Sequence, residues 1–320
     1  MNILVTGGAG FIGNHLCEAL IKSNIGRVIC IDNFNDFYDP RIKENNIKYC
    51  LSSRMFKLYR ADITSIEETE KIFRNEKIDR IFHLAARAGI RYSFKNPLLY
   101  EEVNVKGTIN LLNLAVKYKI RNFTLASSSS VYGANKKIPF SEEDNVDNPL
   151  SPYAITKRSA ELLCKIYSEM HGLNVTCFRF FTVYGPRGRP DMAPYKFTKQ
   201  ISQGQPIEMY GDGSSKRDYT YISDIINGLV NSLEKNFKFE IINLGNSKPV
   251  ELRKLIALIE KNIGKKAKIN KMQKQPGEVD VTYADIKKAK KLLGYQPKIE
   301  IEDGIAKFGQ WFKQQPTLLA

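Results

Sequence analysis

Short apolar runs punctuate the first half of the chain, and between them apolar positions return every three or four residues. Asn2-Ile3-Leu4-Val5 is the first run, and the stretch after it places Leu16, Ala19 and Leu20 on one helical face as far as about Ser23. Further strands are predicted at Val28-Ile29-Cys30-Ile31, at Phe56-Lys57-Leu58-Tyr59, from Ile78 to Ala86, from Asn122 to Ala126 and from Asn174 to Phe181. Between them the pattern predicts a helix and loop within Asn33 to Arg54, and a capped helix from Thr64 through Phe73. A longer helix, from about Pro97 to Lys119, is apolar on more than one face and is expected to be buried on both sides. Such alternation specifies an α/β fold, a Rossmann-type doubly wound parallel sheet that takes its ligand at the carboxyl edge of the strands.

From Pro186 the texture changes to proline, glycine, charge and aromatics, so the chain is expected to leave the nucleotide core there. A helix from Tyr195 to Ser202, a strand Ile207-Glu208-Met209-Tyr210 and the turn Gly211-Asp212-Gly213 begin a smaller α/β cap. Helix Ser223 to Glu234 and strand Ile241 to Leu244 return to the core, and helices near Glu251 to Asn262, Ala284 to Leu293 and Asp303 to Lys313 complete the cap. The expected domains are therefore a nucleotide-binding unit over 1–182, rejoined by about 220–245, and a substrate-binding unit over 183–219 and 246–320.

Composition narrows this picture. With 320 residues the chain can bury a large core, and it has no run of about 18 apolar residues, so no membrane span is expected. Met1-Asn2 leads straight into a strand without a charged leader, and the five cysteines (Cys17, Cys30, Cys50, Cys164, Cys177) are an odd count with no C-x-x-C pair. Reduced thiols in a cytoplasmic protein follow, with neither a disulfide framework nor a metal site. A formal charge of +15 raises nucleic acid as a partner, but the lysines are dispersed along solvated helix faces. An anionic small substrate suits the charge better.

The chemistry begins at the first strand end. Gly8-x-Gly10-x-x-Gly13 lies between a strand and a helix, where glycines permit a tight turn and a pyrophosphate can rest on the helix amino terminus. The next strand ends in Asp32, placed to accept both ribose hydroxyls of NAD and to repel the extra phosphate of NADP. Asp62 is a candidate for the adenine amino group, and Leu84-Ala85-Ala86 lets the backbone pass close beneath the cofactor. His83, on an apolar strand, reads as a structural histidine. Arg87 and Arg91 follow, either able to meet a phosphate or a carboxylate.

Ser127-Ser128-Ser129-Ser130 ends the fifth strand, about 25 residues before Tyr153. Ser151 caps and Pro152 opens the helix that carries Tyr153 and Lys157 one turn apart. Bringing a tyrosine from about 10 to about 7 takes roughly 4 kcal/mol of preference for the phenolate. An ammonium within about 5 Å at an effective dielectric near 20 supplies roughly 3 kcal/mol, and a positive nicotinamide ring the remainder.

Together these features resemble the extended short-chain dehydrogenase/reductase family, specifically its NAD-dependent nucleotide-sugar epimerases and dehydratases. The likeness spans nearly the whole chain. The segments from Asp32 to Pro40, His83 to Ser93, Arg179 to Pro186, Gly188 to Ala193 and Thr282 to Ile286 are similar to UDP-glucuronate 4-epimerases. Arg87 departs from the glutamine expected of that group, and Glu278 from an aspartate.

The resemblance implies that Tyr153 is the base, Lys157 its tuner and ribose ligand, and Ser128 the hydroxyl sharing the proton. It implies cofactor contacts from Gly7, Gly10, Phe11, Ile12, Gly13, Asp32, Asn33, Asp62, Ile63, Leu84, Ala85, Ala86 and Asn104. Arg91, Ser128, Ser129, Ser130, Thr182, Arg189, Arg217 and Glu278 are the implied substrate residues, with Arg217 on a phosphate and Glu278 on the uridine ribose. Dehydratases and decarboxylases of the superfamily carry an acid where this chain has Ser130, so reversible oxidation at carbon 4 without elimination is expected. Ser129, Ser130, Thr182 and Arg189 are suited to hold a uronate carboxylate out of line with a carbon 4 carbonyl. The expected reaction is 4-epimerisation of a UDP-sugar, UDP-glucuronate first, by a homodimer that uses NAD. The alternatives are a UDP-glucose or UDP-N-acetylglucosamine 4-epimerase, a UDP-glucuronate decarboxylase, and a non-catalytic NAD-binding protein.

Overall fold

The structure, a computed structural model, describes residues 1–273 and 279–315. The chain opens with β1 (Asn2–Thr6), α1 (Phe11–Lys22) and β2 (Arg27–Asp32), and continues through the short helices α2 (Pro40–Asn46) and α3 (Lys48–Leu51) to β3 (Phe56–Arg60). Then come α4 (Ile66–Asn75), β4 (Arg80–His83), α5 (Ile90–Lys95), α6 (Pro97–Glu101), α7 (Gly107–Lys117), β5 (Asn122–Ser128), α8 (Pro152–His171) and β6 (Asn174–Phe180). The remainder comprises β7 (Thr182–Tyr184), α9 (Ala193–Ser202), β8 (Pro206–Tyr210), β9 (Lys216–Tyr221), α10 (Ile222–Asn231) and β10 (Phe239–Leu244). The last elements are β11 (Pro249–Glu251), α11 (Leu252–Ile263), β12 (Lys268–Met272), β13 (Val281–Thr282), α12 (Lys287–Leu293) and α13 (Ile301–Lys313).

Seven strands form one parallel sheet in the order β3-β2-β1-β4-β5-β6-β10. The order reverses between β1 and β4, the crevice at which doubly wound sheets bind ligands. Ile3, Leu4 and Val5 of β1 and Val28, Ile29, Cys30 and Ile31 of β2 are fully buried, as strands covered by helices on both faces must be. A second sheet has β9 at its centre, flanked by antiparallel β11 and parallel β13, with β7 pairing β9 at Thr182–Tyr184. The pair β8–β12 stands apart, and every residue of β12 is exposed. Asp218 of β9 fastens this region: its buried carboxylate accepts from the amides of Asn246, Ser247 and Ala284 and from the Thr220 hydroxyl.

Three sequence expectations shift, each for a local reason. The helix from Thr64 begins at Ile66, because the Ser65 hydroxyl accepts from the Glu68 amide and caps it. β4 ends at His83, short of Ala86, where Leu84 and Ala85 come to lie against Gly7 of the glycine loop. The long helix from Pro97 is α6 and α7 joined by a π-helical turn, Glu102–Lys106, that holds Asn104. Such turns recur at functional sites. Here Asn104 accepts from the Arg87 amide at 2.8 Å and donates to the Arg87 carbonyl at 3.0 Å, clamping that backbone.

Candidate active site

The glycine loop is shaped by contacts that leave no room for side chains. Gly7 has φ +70°, and a Cβ there would stand 2.7 Å from the Ala85 amide nitrogen. A Cβ on Gly13 would reach within 2.1 Å of the Gly7 carbonyl oxygen. The loop enters α1 at Phe11 and Ile12, with Asn14 donating to the Gly10 carbonyl. Asp32 leaves β2 beneath this loop and accepts from the amides of Ala9 and Phe34. Burial raises its pKa, and those amide bonds only partly offset the rise.

Asn33 donates to Asp62 at 2.7 Å, and Asp62 also accepts from Thr64. Burial acts upward on the Asp62 carboxyl, yet the Thr64 and Asn33 bonds and the Arg87 charge outweigh it and the pKa is lowered. Ile63 is buried against Gly107, Asn110 donates to its carbonyl, and Leu84, Ala85 and Ala86 are half-buried along the same edge. His83 is buried between the hydroxyls of Thr6 and Thr108, as a structural histidine would be.

At the far end of the edge, the Ser151 hydroxyl accepts from the Ala154 amide and starts α8 at Pro152. Tyr153 meets Tyr100 edge to face at 6.1 Å. Lys157 is 5 % exposed, and its Nζ donates to the Ala126 carbonyl at 2.7 Å. Burial lowers its pKa to about 8, while Glu161 acts the other way.

The sequence led to an acidified tyrosine beside Lys157. In the chain alone burial raises the pKa of Tyr153, and what opposes it is the Ser128 hydroxyl and the charge of Arg189. The Lys157 ammonium is directed instead at the carbonyl of β5. Ser128 in turn accepts from the Ser130 amide and donates to the Ser130 hydroxyl, while Ser129 and Ser130 stand half-exposed at the strand end.

Beneath this floor lies a buried ionic cluster. Glu161 accepts two bonds of 2.8 Å from Arg179, one of 2.6 Å from Ser127 and one of 3.1 Å from Arg158. Arg179 lies over the Tyr132 ring.

Across the cleft, Thr182 is half-buried at the start of β7. Arg189 forms a two-pronged pair with Asp191, at 3.0 and 2.6 Å, and lies over the Phe37 ring. The arm carrying it is moored to α1: Pro186 and Arg187 bond to His15, and Arg187 pairs with Glu18. Arg91 stacks on Tyr210, 4.2 Å from the ring centre. Arg217 donates to the carbonyls of Lys216 and Asp280. Glu278 lies outside the described residues. Glu161 and Tyr100 carry no local sequence signal, because each matters through a partner far away in the chain, whereas Asp191 stands two residues from Arg189 and its role was missed within a segment already singled out.

Ser128 and Tyr153 are hydrogen-bonded to each other at the carboxyl edge of the sheet, along which the glycine loop and Asp32 are also strung. That is the arrangement of the extended short-chain dehydrogenases/reductases, and this chain is one of them. Within that class it belongs to the GDP-mannose 4,6-dehydratase family, which matches residues 4–308. It is 45 % identical to the UDP-glucuronate 4-epimerase of Thermodesulfobacterium geofontis over 317 residues, 99 % of this chain and 97 % of that protein. Its fold superposes on the UDP-glucuronic acid 4-epimerase of Bacillus cereus, solved with UDP-glucuronic acid and NAD, with a TM-score of 0.93 and 40 % identity, covering 98 % and 99 % of the two chains. For the UDP-glucose 4-epimerase of Thermotoga maritima, solved with UDP-glucose, the TM-score is 0.90 at 31 % identity, covering 99 % and 100 %.

Proposed function

We propose that the protein interconverts UDP-glucuronate and UDP-galacturonate by inverting carbon 4, with NAD restored in every cycle. The observation that carries this reading is the likeness, over almost the full chain, to an epimerase solved with that uronate and that coenzyme. The cradle also suits the coenzyme: side chains at Gly7 or Gly13 would strike backbone, so the loop stays bare for a pyrophosphate. We assign Gly7, Gly10, Phe11, Ile12 and Gly13 to that contact, Asp32 and Asn33 to the adenosine ribose, and Asp62 and Ile63 to the adenine. Leu84, Ala85, Ala86 and Asn104 line the floor, and Lys157 is assigned to the nicotinamide ribose.

Bound NAD supplies a reversible hydride acceptor opposite sugar carbon 4. The chain's own work is proton handling and restraint. Tyr153 takes the proton of the 4-hydroxyl, shares it with Ser128 and returns it when the alcohol re-forms on the opposite face. The charge of Arg189 favours the Tyr153 phenolate that must be present before that proton is taken. Ser129, Ser130, Thr182 and Arg189 hold the carboxylate so that its bond to carbon 5 stays out of line with the neighbouring carbonyl, which keeps a β-keto acid from losing carbon dioxide. Arg91 and Arg217 are assigned to the diphosphate and Glu278 to the uridine ribose. The absence of an acid at Ser130 argues against elimination, whatever the family's dehydratase name suggests.

The division into a nucleotide unit over 1–182 with about 220–245, and a sugar unit over 183–219 and 246–320, belongs to the same proposal. So does a homodimer. Leu98 (81 % exposed) on α6, with Ile155, Leu162, Ile166 and Met170 (72 % exposed) on α8, forms an apolar face that a second copy would cover. Among the described residues no helix is long and apolar enough to cross a membrane, and a cytoplasmic place is consistent with that.

The test is incubation of the purified protein with UDP-glucuronate, UDP-glucose and UDP-N-acetylglucosamine in turn, products being resolved by NMR. UDP-galacturonate should appear from the first. Turnover of UDP-glucose alone would favour the second reading, which the Thermotoga maritima likeness supports. A Tyr153→Phe variant that remained fully active would remove the mechanism.

A further inference from the structure

Lys43 is a buried cation and Arg87 a half-buried one, and neither is found in a salt bridge among the described residues, although the charges of Asp32 and Asp36 reach Lys43 and that of Arg87 reaches Asp62. Lys43, on α2, is 5 % exposed; its Nζ donates to the Asn35 carbonyl at 2.8 Å and lies over the Tyr38 ring. Arg87 donates from Nη1 to the Asn35 side-chain oxygen at 3.2 Å, and its buried Nε has no hydrogen-bond partner. Both side chains thus converge on one residue, Asn35; burial lowers the Lys43 pKa, the Asp32 charge opposes that fall, and the Arg87 charge adds to it. Asp32 answers the Lys43 charge in part, whereas the Arg87 Nε, shut from water with no acceptor, is a charged donor that calls for an anion.

Their position says which anion. Asn46, one turn beyond Lys43 on α2, donates to the Ala9 carbonyl of the glycine loop. Two residues before Arg87, Ala85 lies against Gly7. Both cations are thus carried by segments that touch the glycine loop, and Asn104 fixes the Arg87 backbone from behind.

We infer that Lys43 and Arg87 form a two-cation clamp for the pyrophosphate of the bound dinucleotide, with Asn35 as the spacer that sets their separation. The inference rests on the NAD reading above and extends it to side chains outside the glycine motif. A helix amino terminus offers partial charges to a dianion, whereas this clamp offers two full ones, and the guanidinium offers parallel donors to phosphate oxygens. Arg87 is thereby a binding residue for the coenzyme, not for the sugar.

The experiment compares wild type, Arg87→Gln, Lys43→Gln and Arg87→Lys, each stripped of nucleotide and titrated calorimetrically with NAD, ADP-ribose and adenosine. Each glutamine variant should bind NAD and ADP-ribose roughly 10- to 100-fold more weakly, with adenosine unchanged, and Arg87→Lys should recover most of the loss. Added salt should weaken ADP-ribose binding more in wild type than in Arg87→Gln. The thermal midpoint of the stripped variants should be no lower than that of wild type, which separates a ligand-binding role from a structural one. Wild-type affinity for ADP-ribose in both glutamine variants, or an equal loss for adenosine, would overturn the clamp. Failure of the wild type itself to bind NAD would instead remove the reading on which it rests.

Discussion

Lys157 gives its Nζ hydrogen to the Ala126 carbonyl at 2.7 Å. A buried ammonium with that single bond is costly, which is why its pKa is lowered to about 8. Between pH 8 and about 10.5 the unfolded chain holds a proton at this lysine that the folded chain does not, so stability rises with pH across that window. Below pH 8 the folded state carries the whole penalty, up to roughly 3 kcal/mol. Lys157→Met should therefore stabilise the nucleotide-free chain at pH 7, lose the wild type's rise between pH 8 and 10, and lower turnover by roughly 100-fold or more. Denaturant unfolding across pH, set beside epimerisation rates, checks both halves.

Arg189 and Thr182 are assigned to the carboxylate. Replacing either, as Arg189→Gln or Thr182→Val, should lower inversion of UDP-glucuronate or raise leakage to UDP-pentose and carbon dioxide. NMR of the sugar products reads the ratio, and unchanged inversion and leakage in both variants would end that assignment.

Glu161 balances Arg179 from 2.8 Å in a site neither can leave. Glu161→Gln leaves the guanidinium buried without its counter-charge, and the expected loss is about 3–5 kcal/mol. Urea unfolding measures it. A loss below about 1 kcal/mol would mean that water or a neighbour compensates.

His83 between Thr6 and Thr108 is held neutral, burial taking its pKa down to about 3. From pH 6.5 downward the unfolded chain takes up a proton there that the folded one refuses. The stability is complete above pH 6.5 and is lost as pH falls towards 3. His83→Asn should show a shallower acid limb than wild type in thermal melts recorded from pH 7 to 4.

The exposed face of α6 and α8 should be an interface. A Leu98→Asp, Met170→Asp double variant should sediment as a monomer, while the parent sediments as a dimer; identical sedimentation of the two would leave this face without a partner copy.

What was legible in the sequence was local in the chain. The glycine turn and Asp32 are about 20 residues apart and belong to one strand-helix-strand unit, and Ser151, Pro152, Tyr153 and Lys157 lie on a single turn and a half of helix. Their geometry follows from backbone rules alone. The ionic partners were not legible: Glu161 finds Ser127 and Arg179 through packing of α8 on β5 and β6, and Asp218 gathers amides from two distant loops. The π turn holding Asn104 escaped as well, because one extra residue in a helical turn leaves no mark on an apolar repeat.

The mooring of residues 186 and 187 to α1 has a consequence for traffic through the enzyme. The arm that bears Arg189 is a fixed wall, tied to the same helix on which the coenzyme's phosphates are proposed to rest, so we expect the gate for spent sugar nucleotide to lie elsewhere. We expect that gate on the side of the β8–β12 ribbon, whose outer strand is open to water. Hydrogen exchange should run faster there than between Gly185 and Asp191, and the reverse order would put the doorway at the arm.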